Sequence, residues 1–338
     1  MNIYIIGTLD FAKDILDSLL GSGLDVSGVI GLSNRKKSDA ISGYNFLKSF
    51  SEERGINFFE VSSYSLTEEG DRKLIKNLNI DYLIVAGWQR LIPLWLIRHT
   101  RKLVIGFHGS PLGITEGRGR SPQNWSLVLG CEEFYVSIFQ IDEGTDSGPI
   151  ISTRKFQYTQ HDNIRSSYHK VSLLTSEMIT EFFQSGCDIS QIEYQDEKLA
   201  KYLPQRLPAD GYIDWNRTAN EITRFVAALT SPYPGALTKI TGRKFKVLEA
   251  LPFDIFLSEE FTAGSVVKVF SNADILVRVK DGFILVTELE TLDDNLPIVK
   301  GDIFDSYNFN EQMSVIIKRH NDKYPHLPLS TLVLNQSS

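Results

Sequence analysis

The chain has 338 residues, 42% hydrophobic and 23% charged, an ordinary globular composition long enough to fill a core in one large domain or two smaller ones. A formal net charge of -7 and a pI near 5.5 supply no general basic field, which disfavours a nucleic-acid substrate. With Cys131 and Cys187 alone there is no disulfide framework and no metal-ligand spacing, no run is long enough to cross a bilayer, and MNIYIIG is no leader, so a cytoplasmic protein without metal or membrane contact is expected.

Residues 2–6 form an isoleucine-rich run, and Phe11, Ile15, Leu16, Leu19 and Leu20 follow at helical spacing before a second apolar run at 26–30. This pattern predicts a parallel βαβ unit. Gly7, Thr8 and Leu9 lack the glycine spacing of a dinucleotide fingerprint, so no nicotinamide cofactor is expected, and Thr8 is either a helix cap or a ligand contact. Residues 34–42 read as a polar, basic loop, 44–54 as a helix, 56–61 as a strand and 66–78 as a helix. Residues 81–86, DYLIVA, predict a buried strand that stops at Gly87 and opens into a loop carrying Trp88, Gln89, Arg90, Leu91 and Ile92. Ligands of open α/β sheets sit beyond the carboxyl ends of such strands.

The apolar run 103–107 delivers His108 to a strand end, and the run 134–141 leads into an acidic turn carrying Asp142, Gly144 and Asp146. If the two strands are neighbours, His108 and Asp146 share a crevice, an arrangement suited to proton transfer near neutral pH. A core histidine beside an acidic surface turn is the alternative. Ser110 and Ser121 lie outside any G-x-S-x-G elbow, which argues against a serine hydrolase. Arg118 and Arg120, in the loop GRGRS, suit a phosphate or carboxylate, unless they pair with Glu116, Glu132 or Glu133 at the surface.

A strand near 151–156 and a helix over 163–184 precede KYLPQRLPADGYIDW, an extended linker and the best domain boundary. After a short helix at 219–229, five alternating runs between 236 and 289 predict a small antiparallel barrel. A last helix is expected within 302–320, then a disordered tail. The fold class is α/β, a Rossmann-like, mostly parallel sheet domain (1–203) followed by an OB-like barrel (204–300) and a C-terminal extension (301–338).

The segment FHGSPLG, EGRGRSPQNW and IDEGTDSGPI resembles the signature of formyltransferases that use 10-formyltetrahydrofolate, in which an N-x-H-x-S-L-L-P loop precedes a D-x-G-x-D-x-G turn. The resemblance extends over roughly residues 1–290, through IIGTLDFAKDIL, DYLIVAGWQRLIP, RLPADGYIDW and SPYPGALTKI. It implies that an amine attacks the formyl carbon, that His108 takes the amine's proton and steadies the oxyanion, and that Asp146 orients the histidine. It further implies that folate lies against Trp88, Gln89, Arg90, Leu91 and Ile92 and against Ile141, Asp142 and Gly144. Substrate contacts would come from Thr8, Ser110, Arg118 and Arg120, with no metal.

The motif's asparagine is replaced by Gly106, and losing an oxyanion donor costs about 100- to 1,000-fold in rate. Asn124 is the expected substitute, with a backbone N–H, a water or an altered activity as alternatives. GRGRSPQNW resembles sugar-nucleotide members of the family more than methionyl-tRNA members, so a nucleotide-linked amino sugar is the expected acceptor. Methionyl-tRNA, another small amine, formyl-folate hydrolysis and ligand binding without catalysis are the other readings, and a homodimer is compatible with all of them.

Overall fold

The computed structural model describes residues 1–34, 43–293 and 297–335; the basic loop expected at 34–42 lies, beyond Asn34, outside them. In chain order the first part comprises β1 (Ile3–Gly7), α1 (Phe11–Gly21), β2 (Gly28–Leu32), α2 (Lys48–Glu52), β3 (Phe58–Val61), α3 (Glu69–Lys76), β4 (Tyr82–Ala86), α4 (Leu94–His99) and β5 (Leu103–Ser110). There follow α5 (Gly113–Glu116), β6 (Arg118–Gly119), α6 (Pro122–Leu129), β7 (Glu133–Gln140), β8 (Ile150–Gln157), α7 (Ile164–Gln184) and β9 (Tyr202–Leu203). The last part holds α8 (Ala219–Leu229), β10 (Ala236–Ile240), β11 (Arg243–Phe253), β12 (Val266–Val269), β13 (Ile275–Val279), β14 (Gly282–Thr291), α9 (Phe309–Lys323) and α10 (Thr331–Leu334).

Seven strands form one sheet in the order β3-β2-β1-β4-β5-β7-β8, parallel from β3 through β5. Every residue of β1, β2 and β4 is buried, as continuous apolar runs require in a sheet covered on both faces. The chain direction of the crossovers reverses between β1 and β4, the switch point beyond which α/β sheets bind ligands. There Gly7 packs so closely that an added Cβ would stand 2.3 Å from the Ala86 carbonyl oxygen. Helix α3 begins three residues later than the expected 66, because Leu66 takes a left-handed φ of 55° that no helix admits.

One difference moves the candidate histidine. Strand β5 does not stop before His108 but continues to Ser110, because β7 pairs with it antiparallel through Gly106↔Phe139, His108↔Ser137 and Ser110↔Tyr135. Its pairing with β4 ends at Ile84↔Ile105, so His108 lies on a strand that has outrun the carboxyl end of β4.

The chain divides into two compact units interleaved in sequence, where a single break after 203 is expected. The first contains residues 1–118, 134–156 and 169–200; the second contains 119–133, 157–168 and 201 onward. The physical reason is burial: Trp125, Val128 and Ile164 belong to the same core as Trp215, Phe245 and Phe304. In that core Trp215 stacks on Phe304 at 4.9 Å and donates through Nε1 to Thr238 Oγ1 at 3.0 Å.

The second unit's strands are ordered β10-β11-β14-β13-β12, every neighbouring pair antiparallel. These strands form the antiparallel sheet expected of the second part of the chain, and among the described residues no ladder joins β10 to β12. Nor are residues 321–335 a disordered tail: α9 continues to Lys323, α10 follows, and Val333 is buried in the core of this unit.

Candidate active site

His108 and Asp146, both in the first unit, face each other: Nδ1 lies 3.5 Å from Asp146 Oδ2, and the two side chains are 10% and 20% exposed. The other ring nitrogen, Nε2, lies 2.8 Å from the Gly117 carbonyl oxygen. A carbonyl only accepts, so Nε2 carries the hydrogen of that bond. Nδ1 is therefore the nitrogen left to gain or lose a proton, and a carboxylate faces it. The contact with Asp146 becomes a charge-assisted hydrogen bond only in the doubly protonated ring.

Asp146 is presented by a turn under tight local control. Its own φ is 52°, in the left-handed region that few non-glycine residues visit. Two residues on, an added Cβ at Gly148 would stand 1.7 Å from the Gln140 carbonyl oxygen, so only glycine lets the turn close against the end of β7. Asp142 caps the same turn by accepting from Gly144 N at 3.0 Å and from Ser147 Oγ at 2.7 Å. This Asx geometry gives Asp142 a structural task in the acidic turn.

At Gly106 the family's asparagine would share a strand face with His108, two residues on. In this chain the space is filled. A Cβ added there would meet Ile141 Cδ1 and Cγ1 at 2.9 Å and Phe139 Cζ at 3.2 Å. Restoring the amide by Gly106→Asn is therefore expected to destabilise the fold by about 1–3 kcal/mol, as overpacking does. Adding Ile141→Ala should recover part of that loss in urea-unfolding midpoints.

The remaining expected residues separate into distinct settings. Thr8 is fully buried and donates through Oγ1 to the Gly87 carbonyl at 2.9 Å, so it joins the ends of β1 and β4 and caps no helix. Ser110 is also buried, accepting from Leu112 N at 3.2 Å. Arg118 does not face solvent. Its fully buried guanidinium forks onto Glu197, Nη1 to Oε2 at 2.9 Å and Nη2 to Oε1 at 2.7 Å, and Nη2 also donates to Gln195 Oε1 at 2.9 Å. That hydrogen bonding holds the Glu197 carboxyl below its ordinary range.

Arg120, in the second unit, is exposed. Asn124, also there, is buried and donates through Nδ2 to the Ala228 carbonyl at 2.7 Å, which gives it a task between α6 and α8 instead of a demonstrated place beside His108. In the loop after β4, Gln89, Arg90 and Leu91 are exposed while Trp88 and Ile92 are buried. The Trp88 indole Nε1 is buried without a hydrogen-bond partner. Ile141 is half-buried and continues the β7 side of the sheet by donating from its N–H to Val104 O at 2.8 Å. Among the described residues no group of three or more His, Cys, Asp or Glu side chains could hold a metal ion.

Nothing in the sequence singles out Gln195 and Glu197. They lie in a polar stretch, SQIEYQDEK, with no periodicity and no motif, and only the fold brings them to Arg118.

Comparison with known proteins places these features in a family. A model of formyl transferases matches residues 1–182, and one of the formyl transferase C-terminal domain matches residues 207–296. The chain therefore belongs to the formyl transferase family. It is 27% identical over 294 residues to the methionyl-tRNA formyltransferase of Ruminiclostridium cellulolyticum, covering 86% of this chain and 92% of that one. Among solved structures it resembles HypX from Aquifex aeolicus in complex with tetrahydrofolic acid, with a TM-score of 0.63, 15% identity and 97% of this chain covered. The chain spans about half of HypX, 48% of its length. It also resembles an N-formyltransferase from Helicobacter canadensis in complex with folinic acid and dTDP-3-aminofucose, with a TM-score of 0.57, 17% identity, and 84% and 98% of the two chains covered.

Proposed function

We propose that this protein transfers a formyl group from 10-formyltetrahydrofolate to the primary amine of a nucleotide-linked amino sugar. The observation that carries the reading is the His108–Asp146 pair, with Nε2 fixed by Gly117 and Nδ1 turned to the carboxylate. In the reaction the amine nitrogen bonds to the formyl carbon and the carbon's bond to folate N10 breaks. The amine gives up one proton and N10 gains one. His108 Nδ1 accepts the amine's proton with Asp146 balancing the charge, and the resulting imidazolium returns that proton to the departing N10.

The pterin would lie along the loop from Trp88 to Ile92 and beside Ile141, Asp142 and Gly144. The buried, unpartnered Trp88 Nε1 is a donor that a ligand's carbonyl or ring nitrogen would satisfy. Exposed Arg120 has the chemistry for an acceptor's phosphate. We do not extend that role to Arg118, whose guanidinium is already engaged by Glu197 and Gln195.

The sugar-nucleotide reading rests on the GRGRSPQNW segment and on the net charge of -7. A second reading, methionyl-tRNA as acceptor, is favoured by the sequence relatives. Incubating the protein and 10-formyltetrahydrofolate with nucleotide-linked amino sugars or with methionyl-tRNA, and following tetrahydrofolate release, separates the two. Release that requires the amino sugar is expected. Release that requires methionyl-tRNA and falls steeply with salt would establish the second reading.

A further inference from the structure

The geometry points to Gln195 as a positioning residue that holds the acidic turn, and through it Asp146, against His108. Its amide is satisfied on both sides. Nε2 donates to the Asp146 carbonyl at 2.8 Å and to the Gly148 carbonyl at 2.7 Å. Oε1 accepts from Thr115 Oγ1 at 3.0 Å, from Arg118 Nη2 at 2.9 Å and from Arg118 Nε at 3.3 Å. The two carbonyls belong to the turn that carries Asp146, and the donors to Oε1 belong to the segment whose Gly117 carbonyl holds His108 Nε2.

The contacts form a closed circuit within the first unit, running from His108 to Gly117, along the backbone to Arg118, across Gln195 to Asp146, and back to His108. Asp146 needs such help because its left-handed backbone is intrinsically costly and persists only when its surroundings over-determine it. A side-chain amide suits the task, because it alone among uncharged side chains presents two donors to the turn and an acceptor to a guanidinium. Glu197 adds a bidentate ion pair on the far side of Arg118, keeping that guanidinium aimed at Oε1. Gln195 lies between the regions matched by the two family models, 1–182 and 207–296, so the assignment rests on contacts and not on a motif.

The inference builds on the proposed formyl transfer but is testable without it. Gln195→Glu is nearly isosteric and keeps an acceptor for Arg118 and Thr115, while removing both donors to the turn. In the formyl-transfer assay it is expected to lower kcat about 10- to 100-fold, the size of a sub-ångström to 1 Å misplacement, with KM for 10-formyltetrahydrofolate changing much less. Independently of turnover, NMR of the labelled His108 ring nitrogens is expected to move in Gln195→Glu toward the positions seen in Asp146→Asn. If the wild type transfers no formyl group to any acceptor, the functional reading fails while the ring-nitrogen spectra still decide the role of Gln195. Should Gln195→Glu fail to fold, Gln195→Asn keeps the chemistry one methylene shorter and is expected to show the same changes at smaller size. A folded variant of either kind with wild-type His108 spectra and, where the assay works, wild-type kcat would overturn the assignment.

Discussion

His108→Ala is expected to lower kcat for formyl transfer by about 100- to 10,000-fold, the range over which a positioned acid–base group contributes, while leaving the unfolding midpoint little changed. The expectation follows from position. The ring is largely but not wholly buried, and it makes two polar contacts, to Gly117 and Asp146. Removing it deletes the imidazole that the proposed reaction uses to take the amine's proton. Asp146 remains, but a carboxylate cannot donate to an oxyanion unless it is itself protonated. Steady-state kinetics with saturating 10-formyltetrahydrofolate checks the result. A His108→Ala enzyme within threefold of wild type would leave the pair without a catalytic part.

Gly148→Ala is expected to damage stability and rate together. Its Cβ would stand 1.7 Å from the Gln140 carbonyl oxygen and 2.9 Å from the Gln140 carbonyl carbon, and backbone atoms cannot rotate aside as a side chain can. The end of β7 or the turn must move, at a cost at or above the upper end of the about 1–3 kcal/mol typical of overpacking. Either displacement carries Asp146 away from His108. Gly144→Ala makes the informative comparison: there the added carbon meets Ser147 Oγ at 2.0 Å, a hydroxyl that can rotate once its bond to Asp142 is given up. That change should cost only about 1 kcal/mol, the net worth of one hydrogen bond. Urea midpoints for the two variants test the ranking, and equal midpoints would contradict the packing argument.

Much of the architecture was legible because buried parallel strands leave unambiguous apolar runs. The runs expected at 2–6 and 81–86 correspond to β1 and β4, and β1 pairs with β2 as the expected βαβ unit requires, although β2 lies two residues beyond the run expected at 26–30. The partnership of His108 with Asp146 was legible for a related reason, since each followed a strand-length run. Its geometry was not, because strand direction is invisible in a hydrophobic run. The antiparallel course of β7 places His108 inside β5, where a strand end was expected.

Arg118 shows a different limit. A glycine-flanked arginine reads as mobile and solvated, and nothing local announces the glutamine and glutamate, 77 and 79 residues later, that bury it. In the sequence Asn124 offers only its chemistry, an amide in a glycine- and arginine-rich segment. Its Ala228 partner lies 104 residues away in α8, beyond any local pattern. Gly106 was conspicuous only by comparison with the family motif, and the sequence offered no hint that Ile141 occupies the side-chain space. The second unit's strands were legible from alternation, but their order β10-β11-β14-β13-β12 was not, because alternation does not encode which strands pair.

The most direct test of the account follows the formyl carbon itself. With 10-formyltetrahydrofolate labelled at that carbon and a nucleotide-linked amino sugar present, NMR is expected to show the label leaving N10 and appearing as a sugar formamide, at a rate that collapses in His108→Ala. Label recovered as free formate, or retained on folate with every amine offered, would contradict it.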